Sequence, residues 1–258
     1  MPFLRYNTHM ALSWSSRRKF LYTTVAGAIG FVALLTLYVV FFTNAPTCFD
    51  RVLNNDERGV DCGGSCSLLC RDQTRAPVVL WSRAFQVSPS TYTAAAYVQN
   101  PNPGAAARNV AYSFQLFDEK NSLVTERIGV INIPPVQTVP FIDPNIDVGN
   151  RTVARALFAF SEEPVWQRVG DLPPLRVGNQ YLAPDASQLS ATISNDSIKD
   201  ANKVIVTAVL FDSKGIARGA SRSILPRITH KGSQDVVFTW PGGVKNIIRA
   251  EITVLPSF

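Results

Sequence analysis

The chain has 258 residues and a formal net charge of +6, with 25 basic and 19 acidic residues. Four of the basic residues precede position 20, where no acid occurs, so the long remainder of the chain is almost neutral. Nucleic-acid binding needs a clustered basic face, and the sequence contains none, so we expect no nucleic-acid partner.

The first predicted element is the apolar stretch Phe20–Thr43, which holds 24 residues without a charge. As a helix it would be about 36 Å long, and a hydrocarbon core is about 30 Å thick. We therefore predict a transmembrane helix at 20–43, in contact with membrane lipid. Residues 1–19 form a basic tail that the positive-inside rule keeps in the cytoplasm.

A cleaved signal peptide and a lipoprotein are the alternatives to this anchor. A signal peptide has an apolar region of about 7–15 residues that ends in small residues, whereas this stretch ends in bulky Val39–Phe42. A lipoprotein needs a small residue directly before its cysteine, and Thr47 precedes Cys48. We predict an uncleaved single-pass signal-anchor, with the N-terminus cytoplasmic and the C-terminus extracytoplasmic.

The segment 44–75 contains every cysteine of the chain: Cys48, Cys62, Cys66 and Cys70. On the oxidising side of a membrane, an even and clustered set of cysteines predicts disulfides, for which three pairings are open. A zinc site is the alternative, but zinc ligands are typically spaced as C-x2-C or C-x4-C. We predict a disulfide-stapled neck.

The same neck is rich in oxygen ligands, among them Asp50, Asp56 and Asp61. Calcium binds oxygen clusters of this kind, although the spacing differs from that of an EF-hand. The alternative is a loop of Asx-turns in which Asn and Asp side chains cap their own backbone. Calcium at these three residues is thus one hypothesis, and no other cofactor is expected.

The neck resembles a short cysteine-rich module of bacterial surface proteins, with the pattern C-x-D…D-C-G-G-x-C. The matching residues are Cys48, Asp50, Asn54, Glu57, Gly59, Asp61, Cys62, Gly63, Gly64 and Cys66, and Arg51 replaces a glycine of the pattern. The resemblance implies an exported bacterial protein and implies no reaction.

From residue 76 onward, short β-branched and aromatic runs alternate with Pro, Gly, Asn and Asp. This pattern predicts an all-β ectodomain of two tandem antiparallel β-sandwiches, at 76–163 and, with a linker, at 164–258. The predicted strand runs are Val78–Trp81, Thr93–Val98, Val110–Phe117, Ser122–Ile133, Val153–Phe160, Leu189–Ile193, Val204–Phe211, Gly215–Leu225, Asp235–Trp240 and Ile247–Val254.

An internal repeat supports the division into two domains. Leu116-Phe117-Asp118 and Leu210-Phe211-Asp212 lie 94 residues apart, and a similar turn follows each. Aspartate at the first position of such a turn is typical of type I turns. Phe114 and Leu116 would face one core, and each copy would fold independently.

The stretch Phe114-Gln115-Leu116-Phe117-Asp118 resembles the F-x-L-Y-D signature of a small bacterial β-sandwich domain, with Phe117 in place of the tyrosine. Leu210-Phe211-Asp212 keeps only the end of that signature. The resemblance implies immunoglobulin-like or late-embryogenesis-abundant-like sandwiches that have no general catalytic role.

No recognised catalytic motif occurs, and the two histidines stand far apart, at His9 and His230. We therefore expect a non-enzymatic binding or spacer protein of the cell envelope, whose partner is an envelope protein or a glycan. The alternative is an accessory subunit of an export or cell-wall machine, or an enzyme with an unrecognised site.

Overall fold

The computed structural model describes residues 14–42 and 47–257, with side chains described for 14–40 and 47–257. The chain forms two compact units, and the boundary between them lies between Asp50 and Arg51. Residues 1–13 of the predicted tail 1–19, the end of the predicted anchor at Thr43, the neck residues 44–46 and the last residue of the predicted second domain, Phe258, lie outside the described residues.

In the first unit, helix α1 runs from Trp14 to Phe42 and so begins before the predicted position 20. Its segment Trp14–Val40 is long and apolar enough to cross a membrane, and none of it is buried. The hydroxyls of Thr23, Thr24 and Thr36 donate to backbone carbonyls four residues earlier, so these polar groups are satisfied within the helix. By length and composition, α1 fits a membrane anchor or a signal sequence.

The second unit is all-β, as predicted, and every strand pairing is antiparallel. One short 3-10 helix, Arg71–Gln73, precedes the strands. The strands are β1 Val78–Ser88, β2 Thr91–Gln99, β3 Ala105–Phe117, β4 Leu123–Ile133, β5 Thr138–Asp147, β6 Arg155–Phe160, β7 Trp166–Arg168, β8 Leu175–Leu182, β9 Gln188–Asn195, β10 Ala201–Asp212, β11 Ala217–Ile228, β12 Ser233–Thr239 and β13 Ile247–Leu255.

These strands build two sandwiches with the same strand order. In the first sandwich, sheet β1-β2-β5 packs on sheet β4-β3-β6, and β7 pairs with β3. In the second sandwich, sheet β8-β9-β12 packs on sheet β11-β10-β13. Strand β7 belongs to a sheet of the first sandwich. The first sandwich therefore extends to Arg168, beyond the domain boundary predicted at residue 163.

Each sandwich has its own core, because alternate residues of the central strands point inward. Phe114 and Leu116 of β3 are buried in the first core, and Val206 and Leu210 of β10 are buried in the second. The alternation predicted for β3 is thus present in the structure.

A third apolar cluster joins the two sandwiches. This shared cluster consists of Ala95, Tyr97, Ile142, Val209, Phe211, Ala217 and Ala220, with Trp81 and Phe85 packed against it. Trp81 stacks on Tyr97, and Tyr97 meets the edge of Phe211 with ring centroids 6.2 Å apart. The Tyr97 hydroxyl donates to Glu251, so one hydrogen bond also crosses the interface.

The part of the neck within the second unit packs against the first sandwich. Leu68 forms a bridge with Gln167, and Leu69 packs against the first core. The Arg168 guanidinium donates to the carbonyls of Gly64 and Cys66. This part of the neck is therefore fastened to the first sandwich through β7 and the residues around it.

Candidate functional site

The candidate site is a cleft of about 420 Å³ between the two sandwiches. From the first sandwich, β3, β4 and β5 supply one wall; from the second, β10, β11 and the end of β13 supply the other. The wall is mostly apolar, and among the described residues that line it none is acidic. The lining includes Tyr112, Phe114, Val130, Ile131, Pro140, Phe141, Ile142, Ile205 and Leu255, and its polar members include Asn109, Asn132, Lys203, Thr207, Arg222 and Ser257.

A hydrogen-bonded pair, Tyr112 and Asp143, lies at the first-sandwich wall. The Tyr112 hydroxyl donates to the Asp143 carboxylate over 3.1 Å, and the Arg127 guanidinium lies 3.6 Å from the same oxygen. Gly129 faces Tyr112 across the strand pair, and a Cβ atom at this glycine would come within 2.6 Å of the hydroxyl. Glycine at this position therefore leaves the space that the tyrosine ring occupies.

The protonation state of Tyr112 follows from its surroundings. Burial raises the pKa of Tyr112 to about 12, and the negative charge of Asp143 acts in the same direction. Arg222 and Arg127 act in the opposite direction. Tyr112 is thus a neutral hydrogen-bond donor at physiological pH and is unsuited to act as a general base.

One residue of each sandwich has a left-handed backbone conformation at the cleft. These residues are Asn109 in β3, with a φ value of 54°, and Lys203 in β10, with a φ value of 50°. The strand register shifts around Asn109, which lies in a bulge, whereas the pairing of β10 with β11 keeps its register past Lys203. A lysine in this conformation is strained, since asparagine and glycine adopt it far more readily, and such strain often accompanies functional sites.

The structure confirms that the four cysteines form disulfides. Cys62 is bonded to Cys70, and Cys48 and Cys66 are also disulfide-bonded. Gly59 lies against the first bridge, where a Cβ atom would be 3.0 Å from the Cys62 sulfur. The zinc alternative needs free thiolates, and no cysteine is free.

The three aspartates considered for calcium each accept a local hydrogen bond. Asp50 accepts from the Thr47 amide, Asp56 from the Ser65 hydroxyl, and Asp61 from the Arg51 amide. The Asp50 contact is that of a capped turn, which the sequence offered as the alternative, whereas the Asp56 and Asp61 contacts join residues nine and ten positions apart. Calcium binding stays a prediction.

The two turn aspartates have matching surroundings. Asp118 accepts from the amides of Lys120 and Ser122 and pairs with Arg151. The Arg151 guanidinium is the main cause that lowers the pKa of Asp118.

Asp212 accepts from the amides of Lys214 and Ile216 and pairs with Arg218. The Ile216 amide is the main cause that lowers the pKa of Asp212, and the Arg218 guanidinium adds to it. Both aspartates hold turns and ion pairs, and neither lines the cleft.

The predicted signature residues divide between cores and surfaces. Phe114, Leu116 and Leu210 are buried in the cores of their own sandwiches, and Phe114 also lines the cleft. Phe117 is half-buried beneath the Arg155 guanidinium, and Phe211 is buried in the shared cluster beneath Arg249. The structure therefore brings only Phe114 of this set to the candidate site.

Sequence reasoning did not find Asp143, Arg127 or Arg222. No motif marks them, because each lies within an ordinary strand and becomes notable only through contacts with distant strands. The one local signal at the cleft is the asparagine at position 109, a residue type enriched in left-handed backbone.

No family model matches the chain, and no curated protein matches it. Among solved structures, it is similar to a transglutaminase from red sea bream, with 9% identity and a TM-score of 0.22 over 71% of this chain and 29% of that one. It is also similar to the C-terminal globular domain of an oligosaccharyltransferase from Pyrococcus abyssi, with 12% identity and a TM-score of 0.22 over 70% of this chain and 46% of that one. The chain spans less than half the length of either solved chain. Likeness at these scores supports no conclusion about activity.

Proposed function

We propose that the chain is a non-enzymatic, single-pass membrane protein of a bacterial cell envelope, which holds a binding or spacer surface outside the membrane. The N-terminus is cytoplasmic and the two sandwiches are extracytoplasmic. The observation that carries this proposal is the set of disulfide-bonded cysteines that directly follows an apolar helix. Disulfides persist in oxidising compartments, and a helix of this length and composition suits an anchor.

The orientation rests on charge. Arg17, Arg18 and Lys19 lie at the start of α1, and the positive-inside rule places such a flank in the cytoplasm. The opposite end of the helix leads towards the cysteines. Both features favour the same topology.

The two sandwiches are two copies of one domain, similar to the immunoglobulin-like or late-embryogenesis-abundant-like F-x-L-Y-D domains. Their equal strand order supports this, as do the matched turns at Asp118 and Asp212. Asn100 and Asn195 support it too, since each side-chain amide donates to carbonyls around the following loop.

A spacer role is supported by the shared cluster. Relative motion of two domains is the ordinary expectation unless their interface is apolar and well packed. Here Val209 is fully buried and Phe211 almost so between the sandwiches, which makes the second unit one stiff body. Such a body can hold a binding surface in a fixed geometry.

A binding role is supported by the cleft. It is concave, mostly apolar and bordered by a few polar groups, which is the usual character of a small-molecule site. Its described lining holds no pair of acids for proton transfer, so we propose binding in preference to catalysis. The partner of the exposed surfaces is an envelope protein or a glycan, or the larger assembly of which the chain is an accessory subunit.

Cysteine labelling of intact cells tests the topology. A membrane-impermeant maleimide should label K120C, at an exposed turn of the first sandwich, without permeabilisation. The matched control is S16C, at the exposed start of α1, which should react only after permeabilisation. The reverse pattern would show that the sandwiches are cytoplasmic and would end the proposal.

A further inference from the structure

Several neutral polar groups of the cleft are engaged within the protein. The Asn132 side-chain carbonyl accepts from the Asn109 backbone amide over 2.9 Å, and the Thr207 hydroxyl donates to the Thr253 carbonyl over 3.3 Å. Tyr112 donates to Asp143. The apolar walls and the charged groups therefore offer a ligand its main contacts.

Arg222 supplies that charge. Its side chain is half-buried and lines the cleft from β11, opposite Thr207 of β10. Among residues 14–42 and 47–257, the Arg222 guanidinium has no hydrogen-bond or ion-pair partner. Asp143 is engaged by Tyr112 and Arg127 and does not line the cleft. A half-buried guanidinium that has no carboxylate partner is well placed to pair with an anion that enters the cleft.

Lys203 adds a second cation at the same cleft. It is exposed and lines the cleft from β10, where its φ value of 50° is left-handed. Arg222 and Lys203 are the charged residues of the described lining, and both are basic, while residues such as Phe141, Ile205 and Leu255 give the cleft apolar walls. The combination of positive charge and apolar walls selects an amphiphilic anion.

We propose that this cleft binds a single-chain amphiphilic carboxylate, an acyl chain whose carboxylate pairs with Arg222. The inference rests on the proposed binding role and names the ligand class of that site. The planar guanidinium fork matches a carboxylate with two parallel hydrogen bonds, and Lys203 adds longer-range attraction. A volume of about 420 Å³ lies near the lower end of ordinary ligand pockets, which favours one chain over a two-chain lipid.

Photolabelling of the full chain tests the proposal. The protein is placed in phosphatidylcholine nanodiscs and irradiated with a dodecanoate that carries a diazirine near its chain end. We expect labelled peptides from β5 and β10, the two apolar walls, besides the lipid-facing label on α1. The α1 label serves as an internal measure of probe concentration in each sample.

The decisive variant is R222Q, which keeps a polar side chain and removes its charge. We expect cleft labelling, relative to α1, to fall about ten- to hundredfold, as the loss of a charge-assisted hydrogen bond implies. R83Q is the matched control, since Arg83 is exposed on β1 outside the cleft, and it should label like the wild type. Excess dodecanoate should compete, and dodecyltrimethylammonium should not.

Three outcomes would overturn the proposal. They are an absence of label from β5 and β10, equal cleft labelling of the wild type and R222Q, and equal competition by the cationic amphiphile. A folding check by thermal melting of R222Q separates loss of binding from loss of structure. These results do not depend on membrane orientation, so failure here is distinguishable from failure of the topology test.

Discussion

The two sandwiches contain corresponding sheets whose outer faces differ in their exposure to solvent. In the first sandwich, the outer face of sheet β4-β3-β6 is open, and Ile128 on it is 71% exposed. In the second sandwich, the first sandwich partly covers the outer face of sheet β11-β10-β13. Two sheets with the same strand order therefore differ: the outer face is solvent-exposed in the first sandwich and forms an interface in the second.

At the central strand, the outward residue changes accordingly. Gln115 on the open face corresponds, 94 residues further on, to Val209 on the covered face, and their partners on the neighbouring strands are Leu157 and Glu251. Val209 is fully buried, whereas Gln115 is half-buried. An outward strand position that would carry a polar residue on a free sandwich has become apolar, because another sandwich lies over it.

One pair of contacts is common to both faces. Arg155 lies 4.3 Å above the Phe117 ring, and Arg249 lies 4.3 Å above the Phe211 ring. Only the second ring is also enclosed by the shared cluster. The cation–π contact is thus present in both sandwiches, and only in the second does the aromatic ring also form part of the interface.

The largest expected effect is the difference in the free energy of unfolding between F211A and F117A. Removal of the buried Phe211 ring should lower the free energy of unfolding by about 3–5 kcal/mol. F117A should cost about 1 kcal/mol, because the ring is already half-exposed. Urea denaturation of both variants measures the difference, and equal costs would mean that the second face is not covered.

The cores provide a comparison in which the two sandwiches should agree. Leu116 and Leu210 are both fully buried at corresponding positions of the central strands. L116A and L210A should each lower the free energy of unfolding by about 2–5 kcal/mol, since each leaves a cavity. Scanning calorimetry checks this, and a variant that melts like the wild type would contradict the equivalence of the cores.

The turn aspartates predict a pH dependence that both sandwiches share. The folded-state pKa values of Asp118 and Asp212 are lowered, so these groups stabilise the fold at neutral pH. That stabilisation should decrease as the pH falls below the ordinary carboxyl value of 3.8 and through the lowered pKa values.

Melting temperatures of D118N and D212N between pH 2 and 7 measure this contribution. Each variant should lose less stability on acidification than the wild type does. Acid sensitivity equal to that of the wild type in both variants would contradict the assigned turn contacts.

The smallest effect concerns the two residues with left-handed backbone. K203N should raise the free energy of unfolding by about 1 kcal/mol, because asparagine tolerates the left-handed conformation better than lysine. N109K should lower it by a similar amount. Urea denaturation of the two variants tests the pair, and changes of the opposite sign would indicate that these backbone conformations are not strained.

The sequence predicted the strands whose residues alternate regularly, such as β3 and β10. It missed β5, in which Pro140 and Pro144 argue against a strand. β5 tolerates them because it is an edge strand that pairs only with β2. It also missed β8, where Gly178 and Asn179 are typical of a turn but form an irregularity in an edge strand.

The interface and the cleft could not be predicted in the same way. Val209 and Phe211 have the same local pattern whether they face solvent or a second sandwich, and the contact comes from residues more than 60 positions away. Arg222 is one of many arginines in the sequence. That its guanidinium has no partner among the described residues depends on how distant strands place Asp143 and Arg127 in the folded chain.

The central claim is that the first sandwich covers the outer face of the second. Thiol labelling of Q115C and V209C, which occupy corresponding outward positions, tests it most directly. In the folded full chain, Q115C should react readily with a maleimide, and V209C should be protected until urea unfolds the protein. Equal and rapid labelling of both cysteines would contradict the account, because it would mean that the two sandwiches do not pack together.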